Sequence, residues 1–300
     1  MDQSLLVFIT VVEHQNFTRA AEALHMTQPA VSNYIQTLER TMGAKLLDRT
    51  NKYVQLNKAG EVVYHHAKEI LSLYTRMQNL IDDLNHTASG SLTIGSSYTF
   101  GEYLLPHMIG SLRKSYPLIN PNIIIGNSTE MIHLMTRHQL DVGIIEGDFH
   151  NSSVTITPFA TDQMEIACST SHTLANKTHV LPMELQGETW IVREEGSGTR
   201  EMQEKAFEKL GFYPKRLMVF GSTQVIKESI EAGLGIALLS KWTMRKELQL
   251  GTLKAMRVAD FPLTRHFSLI HPDPQFQTKA TQVFIEVLRT HEILKENPSE

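Results

Sequence analysis

The stretch FTRAAEALHMTQPAVSNYIQTLERTMGAKLLDR, residues 17–49, carries two helical patterns of different character separated by a turn. In the first, Ala20, Ala21 and Leu24 fall on one helix face, with Thr18 as the expected cap. The paired alanines let a crossing helix approach closely. After His25-Met26, Thr27 reads as the cap of a second helix. Pro29 is tolerated in its first turn, where backbone amides have no intrahelical acceptor. Val31, Ile35 and Leu38 form the buried stripe, and Gln28, Ser32, Asn33 and Gln36 point the other way with no acid among them. Such a face suits a DNA major groove, where amides pair with adenine and hydroxyls reach bases or phosphates.

Upstream, Leu5, Phe8, Ile9 and Val12 make the inner face of a preceding helix. Downstream, Gly43 breaks the pattern and Leu46-Leu47 returns to the core. Residues 49–56, RTNKYVQL, read as two short strands around a basic turn, a wing able to reach phosphates or the minor groove. The whole chain is mildly acidic, with 28 basic against 32 acidic residues and a formal charge of -4. Within 40–58, however, Arg40, Lys45, Arg49, Lys52 and Lys58 face only Asp48, so the positive charge needed by a phosphate backbone is local.

Residues 59–87 read as one long helix. Val63, Ala67, Ile70, Tyr74, Met77, Ile81 and Leu84 alternate steps of four and three, the spacing of a helix that pairs with a second copy. Pairing would hold two recognition helices one DNA turn, or a multiple of it, apart. The bland alternative is a helix resting on its own domain. A small polar stretch, His86–Ser91, suits a hinge.

From Gly90 onward, short β-branched runs alternate with helical patterns, as an open α/β fold requires. Strands are predicted at 92–95, 122–126 and 142–145, and helices from near Glu102 and over 128–137. Such sheets bind ligands beyond the carboxyl ends of their strands. Ser96, Ser97 and Thr99 with the amides that follow form one anion-accepting corner, and Asn127, Ser128 and Thr129 stand similarly after the next strand. A second α/β lobe is predicted from near Thr161, with strands at 164–168, 189–192 and 217–220. There Gly196, Ser197, Gly198 and Thr199 form a loop whose amides suit a carboxylate, sulfate or phosphate. Arg200 either compensates a ligand's charge or pins structure. The lobe crossings are placed near 147–159 and 262–266.

The division expected is therefore 1–58 as a winged helix-turn-helix, 59–88 as linker helix and hinge, and 89–300 as the α/β two-lobed domain. Lobe I would hold about 89–160 and 267–300, and lobe II about 161–266. With 41% hydrophobic residues the chain is not a disordered protein. A single cysteine, Cys168, allows no internal disulfide and reads as a core thiol. The first residues, MDQSLLVFITVV, lack the basic start of a signal peptide, and no apolar run spans a membrane, so a cytoplasmic protein is expected. Neither a GxSxG elbow nor a phosphate-binding GxxxxGK[ST] loop occurs, and His65-His66 point to different helix faces. No catalytic, metal or cofactor residues are expected.

The AA-L-TQPAVS-I-LE-GA-LL-R pattern of residues 17–49 closely resembles the winged helix-turn-helix of the LysR-type transcriptional regulators. The module order over the full chain is similar too: DNA-binding domain, linker helix, then a two-lobed, periplasmic-binding-protein-like effector domain. The resemblance implies that Thr27, Gln28, Pro29, Ser32, Asn33 and Gln36 take the base- and backbone-contacting positions and that Arg49, Thr50 and Lys52 belong to the wing. It implies effector contacts in GSSYTFGEYLLP (95–106) and REEGSGTR (193–200). It further implies a homodimer or homotetramer on double-stranded promoter DNA, a small anionic effector metabolite, and contact with RNA polymerase in an activator. The other reading is a solute-binding protein for a small anion without a DNA role.

Overall fold

The computed structural model describes residues 3–49, 54–83, 88–149, 151, 154–273 and 277–294. The chain separates into two units, Met1–Leu84 and Asn85–Glu300.

The first unit runs α1 (Gln3–His14), α2 (Phe17–Ala23), α3 (Gln28–Met42), β1 (Leu47–Arg49), β2 (Val54–Leu56) and α4 (Lys58–Asp83). Its core joins Leu5, Phe8, Ile9 and Val11 of α1, Ala20 and Ala21 of α2, and Val31, Ile35 and Leu38 of α3 with Leu46, Leu47 and Ala67. Val11 is the buried member of the pair, and Val12 packs at the edge. The cap of α2 is Asn16 rather than Thr18: its Oδ1 accepts from the amides of Thr18 and Arg19 at 2.8 and 3.0 Å. Asn16 alone has the extended backbone a cap needs, with Thr18 already inside the helix. Thr27 caps α3 through Ala30 N, and the left-handed Gly43 (φ +66°) ends it. Buried Glu39 then accepts from Leu46 N (3.0 Å) and Lys45 Nζ (2.9 Å), fastening the end of α3 to the start of β1. β1 and β2 pair antiparallel, and the tip between them, with the predicted wing residues Thr50 and Lys52, lies outside the described residues.

The second unit begins β3 (Gly90–Ser97), α5 (Tyr98–Tyr103), α6 (Leu105–Ser115), β4 (Ile119–Gly126), α7 (Ser128–Thr136), β5 (Val142–Glu146) and β6 (Thr155–Ser169). It continues α8 (Pro182–Leu185), β7 (Thr189–Arg193), α9 (Gly198–Leu210), β8 (Arg216–Phe220), α10 (Thr223–Glu231) and β9 (Ala237–Ser240). It ends α11 (Lys241–Leu250), β10 (Leu253–Ala255), β11 (Leu263–His271) and α12 (Lys279–Thr290). One sheet has the order β10-β6-β11-β5-β3-β4, with β9 also on β6; β7 and β8 pair parallel beside it. β3 lies parallel to β4 and β5, as the crossover helices demand, whereas β11 runs antiparallel to both β5 and β6.

Two cores flank the crossing. Leu92, Ile94, Phe100, Leu105, Phe267 and Phe284 belong to one, and Met164, Ile166, Trp190, Phe207, Leu238 and Leu263 to the other. The chain passes between them along β6 and β11, in which Asp162 and Arg265 face each other as register partners.

Three elements depart from the sequence expectation. The helix expected near Glu102 starts at Tyr98 and is broken at Leu104, because Pro106 cannot continue a helix through the carbonyl of Glu102 and restarts one instead. β4 starts at Ile119 and tolerates Pro121 because it is the edge strand of its sheet. β6 runs unbroken from Thr155, taking Pro158 within the strand; a register shift there leaves Phe159 opposite no single partner.

Candidate functional site

The outer side of α3 has the composition of a reading head. Thr27, Gln28, Pro29, Asn33 and Gln36 are exposed and Ser32 is half-buried, while Val31, Ile35 and Leu38 anchor the opposite face. Gln28 Nε2 donates to Ser32 Oγ at 3.0 Å, one helical turn on, which orients both side chains. Arg40 and Lys45 are exposed near the far end of the helix, and Lys45 is held there by Glu39. Arg49 ends β1; its side chain, like the wing tip, lies outside the described residues.

On α4 the expected seam divides. Val63 and Ala67 pack into the core of their own unit, together with Tyr64 and Leu71. Ile70, Met77 and Ile81 are exposed, Tyr74 is half-buried, and Val62 and Leu73 join the exposed set. Leu84 lies outside the described residues. The apolar residues that pack on the unit's core thus end at Leu71, and those beyond it are exposed or half-buried.

In the second unit the hydroxyls predicted from both lobes converge on a residue the sequence reading passed over. Arg265 is fully buried on β11. Its Nε donates to Asp162 Oδ2 at 2.8 Å, its Nη1 to Thr199 Oγ1 at 3.0 Å, and its Nη2 to Thr99 Oγ1 at 3.1 Å. Nη1 also lies 2.7 Å from Glu146 Oε2. The other Glu146 oxygen accepts from Ser97 Oγ at 2.7 Å and from the amide of Phe100 at 3.1 Å. Ser240 Oγ donates to the second Asp162 oxygen at 2.7 Å. Burial pushes the Asp162 carboxyl above its ordinary range, and the Arg265 charge and the Ser240 hydrogen bond only partly oppose it.

Within the first lobe, Ser128 Oγ donates to the Glu146 carbonyl at 3.0 Å and accepts from its amide at 3.1 Å. Around this centre the lobes touch at further points. Thr129 N donates to Gly196 O at 3.1 Å, and a Cβ on Gly198 would land on the Glu146 carbonyl. Glycine at 198 is therefore what lets the start of α9 press against the end of β5. Asn127 caps α7 and lies 3.5 Å from Glu194. Glu194 also chelates Arg193 through bonds of 2.7 Å to Nε and Nη2. Burial raises the Glu194 pKa, but the hydrogen bonds and charge of Arg193 outweigh it and the net shift is downward. The Arg193 guanidinium stacks 4.6 Å over the ring of Tyr98 from the opposite lobe.

Two predicted residues stand apart. Ser96 turns away from the junction, its Oγ donating to Ser97 O at 3.2 Å beside Gly101. Arg200 binds Glu204 Oε1 at 2.9 Å and Arg193 O at 3.2 Å, with Tyr213 Oη at 3.5 Å, so it pins structure within its own lobe rather than joining the cluster around Arg265. Ser197 caps α9 through Thr199 N. Glu146, Asp162 and Arg265 were missed, and Arg193 and Glu194 fell within the 193–200 stretch without being singled out, although Arg265 sits in phase with Leu263, Phe267 and Leu269 on the buried side of its strand. A charge in an apolar phase was the signal available.

Among the described residues no cluster of His, Cys, Asp and Glu is arranged to hold a metal ion, and no helix is long and apolar enough to cross a membrane. Residues 3–61 match the family model of the bacterial regulatory helix-turn-helix protein, lysR family, and residues 85–292 match that of the LysR substrate binding domain. The HTH-type transcriptional regulator CysL of Bacillus subtilis is 36% identical over 96% of either chain. The RuBisCO operon transcriptional regulator of Acidithiobacillus ferrooxidans is 33% identical over 95% of this chain and 92% of its own. Among solved structures, full-length CbnR complexed with its target DNA superposes with a TM-score of 0.74 at 20% identity, over 96% of this chain and 99% of that one. The Synechocystis PCC6803 CcmR regulatory domain in complex with 2-PG matches at 25% identity and a TM-score of 0.63, covering 69% of this chain and 99% of that one.

Proposed function

This chain belongs to the LysR family of DNA-binding transcriptional regulators, and from that premise we propose that it pairs through α4 on promoter DNA and is switched by a small anionic metabolite held between its two lobes. The recognition residues are Gln28, Ser32, Asn33 and Gln36, flanked by Thr27 and Pro29, with Arg49, Thr50 and Lys52 on the wing. Val62, Ile70, Leu73, Met77 and Ile81 give the paired helices their contact, and the effector domains extend the dimer to a tetramer.

The observation that carries the ligand reading is the convergence of both lobes on Arg265. Thr99 and Glu146 come from one lobe and Thr199 from the other, so a ligand that engages this guanidinium changes what holds the lobes together. The solved CcmR complex with 2-PG supports a small ligand for a domain of this kind. Ligand binding then alters the arrangement of the protomers, and with it DNA bending and, in an activator, the approach of RNA polymerase.

The test is to recover the genomic fragments the full chain selects, then measure their retardation with and without a panel of small organic acids and inorganic oxyanions. Selective fragments whose retardation shifts with one of these ligands support the reading. Sequence-blind binding, or selective binding that no small acid or oxyanion alters, overturns it.

A further inference from the structure

The junction between the lobes already contains an anion of the protein's own. Glu146 ends β5, an otherwise apolar strand, and is 2% exposed. Its carboxylate takes the Ser97 hydroxyl, the Phe100 amide and one Arg265 nitrogen. Those are the donors a small oxyanion would use, and the sequence reading had assigned the Ser97 corner to such a ligand. Arg265 is meanwhile shared with Asp162. An incoming dianion that left both carboxylates in place would add negative charge to a dry site where one guanidinium already faces two acids, at high electrostatic cost. Gly198 rests on the Glu146 backbone carbonyl, so the backbone cannot shift while the lobes are closed and any retreat falls to the side chain.

We infer that Glu146 is the specificity-determining residue of this site: its carboxylate is a tethered occupant that excludes small dianionic oxyanions, and a ligand enters the Ser97–Arg265 corner only by displacing it. The inference rests on reading the lobe junction as the ligand site. Displacement also removes the Glu146–Arg265 contact from a guanidinium that holds Thr99 of one lobe and Thr199 of the other, so entry and rearrangement of the junction are one event. Truncating the side chain frees the same donors and turns the corner into an oxyanion site.

The probe is sodium sulfate, titrated calorimetrically at constant ionic strength into the full chain as wild type, Glu146→Ala and Glu146→Gln. Circular dichroism establishes that each is folded. Wild type is expected to bind sulfate weakly or not at all, and Glu146→Ala at least about tenfold more tightly through charge-assisted hydrogen bonds. Glu146→Gln falls between, since it keeps the shape and loses the charge; if the alanine variant does not fold, the glutamine variant alone decides. Adding Ser97→Ala to the binding variant should weaken sulfate again. Wild type binding as tightly as the variants, or folded variants that bind none, overturns the inference. DNA retardation of the same samples separates the two readings. Sulfate uptake by a variant whose retardation sulfate leaves unchanged supports the gate and removes the regulatory reading of the junction. No uptake, with wild-type retardation still shifted by an organic acid, removes the gate alone.

Discussion

Gln36 is exposed on the outer face of α3, one turn beyond Ser32 and opposite the core residues Ile35 and Leu38. Its truncation removes no packing. Gln36→Ala should therefore leave the melting temperature unchanged and lower discrimination among operator variants by about 1–3 kcal/mol, the worth of a good base contact. Competitive retardation with single-base operator variants measures this, and an equal loss on every sequence would reassign Gln36 to phosphate contact. At Cys168 burial raises the thiol pKa to about 11. The reactive species is the thiolate, so at pH 8 only about one thiol in a thousand is ionised, and the fraction grows tenfold per pH unit up to that pKa. Labelling by a disulfide reagent should be far slower in the native protein than in denaturant, and rapid native labelling would contradict the buried state. This thiol was legible from its apolar strand. Arg265 was not: a lone arginine among Leu263, Phe267 and Leu269 announces a buried charge, but the acids that neutralise it lie on other strands, and pairing across strands is not visible in one sequence.

At the scale of elements, the recognition helix and the short strands around the effector loops were readable because caps, prolines and apolar phases all agree locally. α4 was only half readable. Ile81 stands five turns after Val63 and so at the same azimuth, yet Val63 packs on its unit's core while Ile81 is exposed. The residues that pack on the core end at Leu71, and the point where a helix outruns its own core is not written in its periodicity. The exposed stripe is the one left for a partner, and Met77→Glu places a charge in it without touching the unit's own core. Sedimentation should show the dimer weakened by about 2 kcal/mol or more, as for a central interface residue, with helical content retained. An unchanged dimer constant would move the pairing face elsewhere. β6 reaches well upstream of the expected 164–168, because a bulge absorbs Pro158 and Arg265 neutralises Asp162.

Across the whole molecule, the order of modules could be read from the sequence, and the closure of the two lobes on a central guanidinium could not. Closure depends on contacts between segments far apart in the chain: Thr99 with Arg265, Tyr98 with Arg193, Glu146 with Gly198. The connection between the lobes is a two-strand ribbon, β6 against β11, hydrogen-bonded straight through the crossing. A ribbon of this kind resists bending, which would tear its ladder, and yields to torsion, which only changes its natural twist. Lobe motion should then leave the amides of residues 160–164 and 264–267 protected from deuterium exchange, while those of the 194–199 loop gain or lose protection when a ligand enters. Simultaneous loss of protection along the ribbon would mean that the lobes part by local unfolding. If the ribbon holds, the signal handed outward is a rotation, and neighbouring protomers would feel it as a change of angle rather than of distance.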